Sequence, residues 1–293
     1  MSFKKFFKLG AIGLLAASLA ACGGGNETST TENENSQDSS DVKKIKVAYA
    51  ISWKPITYQD ENGEPAGYEL DMLRLVDEKL EDYEFEYIGT TDDDLLIGVE
   101  QGKYDLGVKN IFYTDERAEK YVFPKEFTGL SSVGLLLKKE NEHIKDLSDF
   151  AAAGLELAPI AANNAQYTVV AKYNEENPDN QVKLVAGDTF AVDAVQWVNE
   201  GRADGAIALE PVIDKQINDP EGPYHNLKDE VVYNEFTVIK TWTLFNKNNQ
   251  ELADAFDEVI KEIKQTNALN ELMVKHYGRD LFEVLERVEG QSK

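Results

Sequence analysis

Apolar and polar positions along the chain switch repeatedly between a strand-like and a helix-like period. Ile45 to Ile51 is a short apolar run that reads as a buried strand, left through a loop at Ser52-Trp53-Lys54-Pro55. Tyr58 to Gly67, containing Glu-Asn-Gly-Glu-Pro, reads as a hairpin-like turn. From Glu69 to Leu80 the apolar residues fall at 70, 73, 76 and 80, which predicts a helix. A strand is expected over Phe85–Ile88, a helix over Asp93–Gln101 closed by Gly102, and a strand over Tyr104–Val108. Ser132 to Lys138 is a strongly apolar strand.

The alternation then restarts. Helices are expected over Leu147–Ala153, Ala165–Asn174 and Phe190–Glu200, with strands over Leu155–Pro159, Val182–Ala186 and Gly205–Leu209. Val231 to Trp242, continued by Thr243 to Asn246, is a long β-branched and aromatic run, and the helices Glu251–Gln265 and Leu269–Tyr277 close the pattern. Strands alternating with helices predict an α/β fold, with a mostly parallel sheet and helices on both faces. The two long extended runs bracketing 138–231 suggest two crossings between lobes. Residues 43–132 with 242–293 would form one lobe and 133–241 the other, with a hinge and a cleft between them.

Each half carries a related unit. Gly102-Lys-Tyr-Asp-Leu-Gly-Val108 matches Gly201-Arg-Ala-Asp-Gly-Ala-Ile207: a helix ends at Gly, a basic residue and an Asp follow, and a buried strand begins.

Composition narrows the chemistry. The 293 residues carry 54 acids against 30 bases, a formal charge of −24, so nothing basic is available to neutralise phosphates and no nucleic-acid partner is expected. The three histidines are isolated, no spacing suggests a metal site, and no cofactor is expected. No nucleophile elbow, His/acid pair or phosphate loop is present.

Lys4, Lys5 and Lys8 precede the apolar run Leu9–Ala21, which has the layout of a secretory signal and is shorter than the ~20 apolar residues of a membrane span. Leu19-Ala20-Ala21-Cys22 resembles the lipobox of bacterial lipoproteins. That resemblance implies cleavage after residue 21 and a diacylated Cys22, the sole cysteine. Residues 22–42 lack large apolar side chains until Val42 and read as a flexible tether with an r.m.s. reach of roughly 25 Å. The folded part is therefore expected at the outer face of a cell membrane, as a monomer.

One stretch stands apart. After the strand at Tyr104–Val108, Thr114 reads as an N-cap, with Asp115 and Glu116 in the first helical turn. Arg117 in that turn opposes the helix dipole and needs an anion. A neighbouring acid such as Glu116 would serve, and so would the carboxylate of an external ligand.

Pro55-Ile-Thr-Tyr58, Asn62-Gly63, Gly67-Tyr-Glu-Leu-Asp71, Gly102-Lys-Tyr-Asp105, Thr114-Asp-Glu-Arg117, Gly201-Arg-Ala-Asp204 and Leu252 through Tyr277-Gly278 stand in an order and spacing that resemble the bacterial extracellular solute-binding proteins of family 3. These are the amino-acid receptors of ABC importers. The resemblance spans about residues 43–283. It implies a two-lobed, periplasmic-binding-protein-like (type II) fold, and as partners a permease with its ATPase.

By the same resemblance Arg117 would hold the ligand carboxylate, Thr114 would cap its helix, and Asn110 would lie by the ligand amine. In the second lobe the ligand would meet a helix N-terminus at Asn163-Asn164-Ala165, where free backbone N–H groups make an anion pocket. Trp53 and Tyr58 could cover an ammonium or an apolar part of the ligand, or serve as core or rim aromatics. Three positions depart from the family pattern. Asp92 stands where most members have Trp, Phe112 where many have Ser or Thr, and Leu209 where many have an acid, with Glu210 one residue further on. Asn110 with its following Thr-x-x-Arg looks closest to the receptors for cystine and related sulfur compounds, and a glutathione receptor belongs to the same neighbourhood. An exported enzyme similar to cyclohexadienyl dehydratases is the alternative, with Glu210 the one candidate general acid.

Overall fold

The structure, a computed structural model, describes residues 42–162, 164–187 and 193–291. Cys22, Asn163 and the first residues of the helix expected from Phe190 lie outside this set.

Three strands, β1 (Lys43–Ala50), β2 (Tyr83–Thr90) and β3 (Leu106–Ile111), form a parallel sheet with β1 in the middle. Period-2 alternation is literal in β1. Ile45, Val47 and Tyr49 enter one apolar cluster with Leu70, Leu73 and Val76 of α1 (Tyr68–Asp77), while Ala48 and Ala50 enter another with Leu95 and Val99 of α2 (Asp92–Glu100). A one-residue slip would exchange the two faces, so packing specifies the register. Between β1 and α1 the chain forms a small three-stranded sheet from Ser52–Trp53, Thr57–Gln59 and Pro65–Ala66, where the sequence suggests a single turn.

After α3 (Asp115–Lys120) the long strand β4 (Gly129–Lys138) pairs antiparallel with β5 (Gly205–Leu209). Helices α4 (Leu147–Ala152), α5 (Ala165–Glu176), α6 (Ala194–Asn199) and α7 (Glu210–Ile213) surround this second sheet. Here β4 alternates in the same way. Val133, Leu135 and Leu137 face Phe150 and Val170, and Leu136 faces Val195 and Val198.

The strand β6 (Val231–Phe245) joins the two regions. It pairs antiparallel with β4 over Val231–Thr241 and then with β3 over Trp242–Phe245, giving the order β5-β4-β6-β3-β1-β2. The sheet is therefore mixed. Only the pairings among β1, β2 and β3 are parallel within it, because β6 runs antiparallel to both β3 and β4, and β5 antiparallel to β4. The expected strands at 155–159 and 182–186 shrink to a two-residue parallel pair, Ile160–Ala161 with Ala186–Gly187, and isolated bridges at Glu156, Leu157 and Lys183.

Helices α8 (Gln250–Lys264) and α9 (Ala268–Tyr277) return to α1 and the first sheet, with Phe256 and Ile260 in the cluster around β1. A third closing helix, α10 (Leu281–Gln291), follows them, beyond the two expected. Its Leu281 and Val284 pack on Leu130 of β4 and Val238 of β6.

The repeated unit has one structural meaning in both halves. Gly102 and Gly201 take positive φ, +75° and +70°, at helix ends, a conformation that costs glycine no Cβ clash. Asp105 then accepts from the Lys46 N–H at 2.8 Å, and Asp204 accepts from the Glu156 N–H at 2.8 Å. Each Asp ties a following strand to its neighbour.

Candidate functional site

From β1 the chain crosses with α1 on one face to β2, then returns with α2 on the opposite face to β3, on the other side of β1. The order reverses at β1. In open α/β sheets the crevice outside the carboxyl ends of the strands at such a reversal is where ligands bind. Trp53 follows β1, Asp92 follows β2, and Lys109, Asn110, Phe112 and Arg117 end or follow β3.

Thr114 caps α3 as expected from its residue type, its Oγ1 accepting from the Arg117 N–H at 3.2 Å. The Arg117 guanidinium donates to the Phe112 carbonyl oxygen at 2.8 Å. Glu116 pairs with Lys120 at 3.1 Å, and among the described residues no carboxylate lies within ion-pair distance of Arg117. Burial lowers the guanidinium's pKa, although Tyr121 and Glu116 pull it the other way.

Asn110 has φ +59°, the left-handed region that Asn tolerates better than most residues. Its N–H donates to both oxygens of Glu69, at 3.1 and 3.3 Å, and its side-chain amide donates to Ser131 Oγ at 3.2 Å. Glu69 is 1% exposed, and burial pushes its carboxyl up to about 8.

Asp92 accepts the Trp53 indole N–H through both oxygens, at 2.9 and 3.0 Å, and lies 3.7 Å from Lys109 Nζ. It therefore meets the indole and a lysine, both of them parts of the protein. Phe112 packs against the second apolar region, in the cluster that Val212, Phe236 and Ile239 also join. Tyr58 meets Lys54, whose Nζ is 5.6 Å from the ring centre, and lines neither cavity described below.

On the second region Asn164 caps α5, its Oδ1 accepting from the Gln166 N–H at 2.9 Å, with Ala165 the first helical residue. Asn164, Gln166, Leu209, Val212 and Gln216 line a cavity of about 410 Å³. A neighbouring cavity of about 350 Å³ is lined by Trp53 together with Val212, Lys215 and Gln216. Val212 and Gln216 border both, so the two cavities adjoin; Trp53 and Asn164 line them, and Arg117, Asn110, Phe112 and Asp92 line neither.

Glu210 lines neither cavity. It is held by Arg279 at 2.7 Å, and the same guanidinium nitrogen holds Glu235 at 2.5 Å. Ser132 donates to Glu235 at 2.6 Å, which makes a polar network on the long strands. A glutamate at the start of a helix is legible in sequence. Its partner, 69 residues away, is not.

Glu69, Lys109, Ser131 and Lys215 escaped the sequence reading. For Glu69 a clue existed, since it is flanked by Tyr68 and Leu70 at the start of an apolar helix face. For the lysines no local pattern separates them from surface lysines.

This topology and crevice define a class, the two-lobed binding proteins that take a small solute between α/β lobes. The chain belongs to the bacterial extracellular solute-binding proteins, family 3, whose model matches residues 45–279. It is 26% identical over 262 residues to the L-cystine-binding protein TcyK of Bacillus subtilis (strain 168), covering 89% of this chain and 92% of that protein. It is likewise 26% identical over 267 residues to TcyJ, a second L-cystine-binding protein of that strain, covering 91% and 94%. In fold it is similar to a probable amino-acid ABC transporter extracellular-binding protein, ytmK from Bacillus subtilis, with a TM-score of 0.61 and 23% identity over 81% of this chain and 98% of that one. The L-cystine solute receptor of Neisseria gonorrhoeae in its unliganded open conformation gives a TM-score of 0.55 at 21% identity, covering 83% and 95%. No helix among the described residues is long and apolar enough to cross a membrane.

Proposed function

We propose that this protein is a receptor that captures a small amino acid in the crevice and delivers it to an ABC importer, with L-cystine the first ligand to test. The observation that carries this reading is Arg117. It is a partly buried cation at the sheet's reversal point, capped into place by Thr114 and lacking a carboxylate partner among the described residues. A guanidinium there can grip a ligand carboxylate with two parallel hydrogen bonds. Asn164 caps the start of α5 in the opposite region, where it borders the first cavity, and the names of the relatives TcyK and TcyJ point to cystine.

Trp53, held by Asp92, lines the second cavity, whereas Asn110 turns to Glu69 and Ser131 and Glu210 pairs with Arg279. For the enzymatic alternative, burial raises the carboxyl of its one candidate acid, Glu210, but Arg279 engages it and it lines neither cavity. The membrane part of the reading rests on the lipobox-like run ending at Cys22. Cys22→Ala is expected to move the protein from the membrane fraction to the medium, and retention in the membrane fraction argues against lipidation.

Titration calorimetry with L-cystine and a panel of single amino acids tests the binding. Micromolar or tighter binding of one class is expected, with a loss of at least 100-fold in Arg117→Ala, corresponding to ~3 kcal/mol for a charge-assisted pair. Undiminished affinity in that variant removes Arg117 from the site.

A further inference from the structure

The wall that the two cavities share has a weak foundation of its own. Val212 and Gln216 border both cavities, Leu209 and Ile213 the first, and Lys215 the second. They belong to α7 and to the π-helical turn that continues it, Asp214–Asn218. Helix α7 has four residues and no side-chain cap, so its backbone hydrogen bonds alone place it poorly. Buried Pro211 and Ile213 pack its inner side. Its first residue, Glu210, is tied from outside the cavities.

That tie is Arg279, which lies between α9 and α10 and lines neither cavity. One guanidinium nitrogen donates to Glu210 at 2.7 Å and to Glu235 of β6 at 2.5 Å. Glu235 is also held by Ser132 of β4 at 2.6 Å, and Arg287 of α10 stands 3.8 Å from it. Arg279 is itself anchored, because Leu281 and Val284 of α10 pack on Leu130 of β4 and Val238 of β6, and Lys240 of β6 pairs with Glu289 at 2.9 Å. Helix α10 lies beyond the stretch that the family model matches. Across the second cavity Lys215 sits over the Trp53 ring, 5.1 Å from its centre, so the placement of α7 also sets this contact.

We propose that Arg279 is a positioning residue for ligand capture: braced by α10, it bridges Glu210 to Glu235 and so fixes the wall shared by the two cavities. The effect on affinity rests on the receptor reading above, whereas the placement of the wall is measurable without a ligand. The competing role for Arg279 is to neutralise two glutamates, which would change stability and leave the wall where it is.

The chain has three tryptophans, so the full chain carrying Trp197→Phe and Trp242→Phe reports on Trp53 alone. Acrylamide quenching of its fluorescence is measured well below the unfolding transition, with thermal unfolding as the folding control. In Arg279→Met, Lys215 is expected to leave the indole face and quenching to rise roughly twofold. Arg279→Lys is expected to restore the background value, because both contacts come from one nitrogen and an ammonium has donors for both. Lys79→Met breaks an ion pair with Glu262 that involves neither cavity, and is expected to leave quenching unchanged. Unchanged quenching in Arg279→Met overturns the proposal, and so does an equal rise in Lys79→Met, which would mark general loosening. Calorimetry with L-cystine is the second arm, with affinity expected to fall about tenfold in Arg279→Met and to recover in Arg279→Lys. Full affinity in Arg279→Met overturns the proposal. If wild type does not bind L-cystine, that reading of the ligand falls and the Trp53 signal still decides the role of Arg279.

Discussion

Glu69 turns a buried contact into a measurable pH dependence. Its carboxyl is 1% exposed, receives the Asn110 N–H, and titrates at about 8 in the folded protein against an ordinary value of 4.5. Burial is the dominant cause, and the hydrogen bond from Asn110 works against it. Between these two values the folded chain binds a proton that the unfolded chain has released. Stability from this group is therefore greatest below pH 4.5, declines as pH rises, and reaches its full deficit above about pH 8. At roughly 1.4 kcal/mol per pH unit the interval amounts to ~5 kcal/mol, an upper bound because local opening admits water. Glu69→Gln keeps an acceptor for Asn110 and cannot ionise. The variant should match wild type near pH 4.5 and exceed it by several kcal/mol at pH 9. At about 2–4 °C per kcal/mol, that is on the order of 10 °C in melting temperature. The assay is thermal or urea unfolding of both proteins at pH 4.5, 7 and 9. Every other titrating group is common to the pair, so the difference isolates residue 69. A wild-type-to-variant gap that is the same at pH 4.5 and pH 9 refutes the reasoning.

Two further perturbations address the elements around the crevice. Thr114→Ala removes the cap of a helix of six residues and should cost about 1 kcal/mol in urea unfolding, while Thr114→Ser should cost little. Arg279→Met leaves Glu210 and Glu235 without their shared cation, which should cost about 1–2 kcal/mol at pH 7 once screening of the partly exposed guanidinium is allowed for. Burial raises the Glu235 carboxyl, but Arg279, Ser132 and Arg287 together leave it below its ordinary value. Its stabilising contribution is present above the ordinary carboxylate range and is lost as pH falls. The Arg279→Met deficit should therefore narrow on acidification, as followed by unfolding at pH 7 and pH 3.5.

Much of the framework is legible in local patterns. Apolar and β-branched runs mark β1, β4 and the long β6, the 3.6-residue period marks α1, and the Gly-basic-x-Asp units mark where a helix gives way to a strand in each half. Thr114 is recognisable as a cap because a hydroxyl followed by two acids suits a helix start whatever surrounds it. Helix α10 is equally legible, because Leu281, Val284, Leu285 and Val288 repeat at helical spacing. The strands at 155–159 and 182–186 reduce to short pairings, since a short apolar run shows burial and leaves its hydrogen-bond partners open.

What the sequence alone determined is whatever depends on near neighbours: the elements, their caps, the α/β class, and the oddity of an arginine in the first turn of α3. The order of strands about β1 was decided by tertiary structure, because burying both faces of β1 requires α1 and α2 on opposite sides. The partners of the charged groups were also decided there. Asp92 went to Trp53, Glu210 to Arg279, and Glu69 to the turned-out backbone of Asn110. Each of these contacts joins residues 39 to 69 positions apart, and a charge's role is set by the nearest opposite charge or donor in space, a distance that sequence separation does not encode.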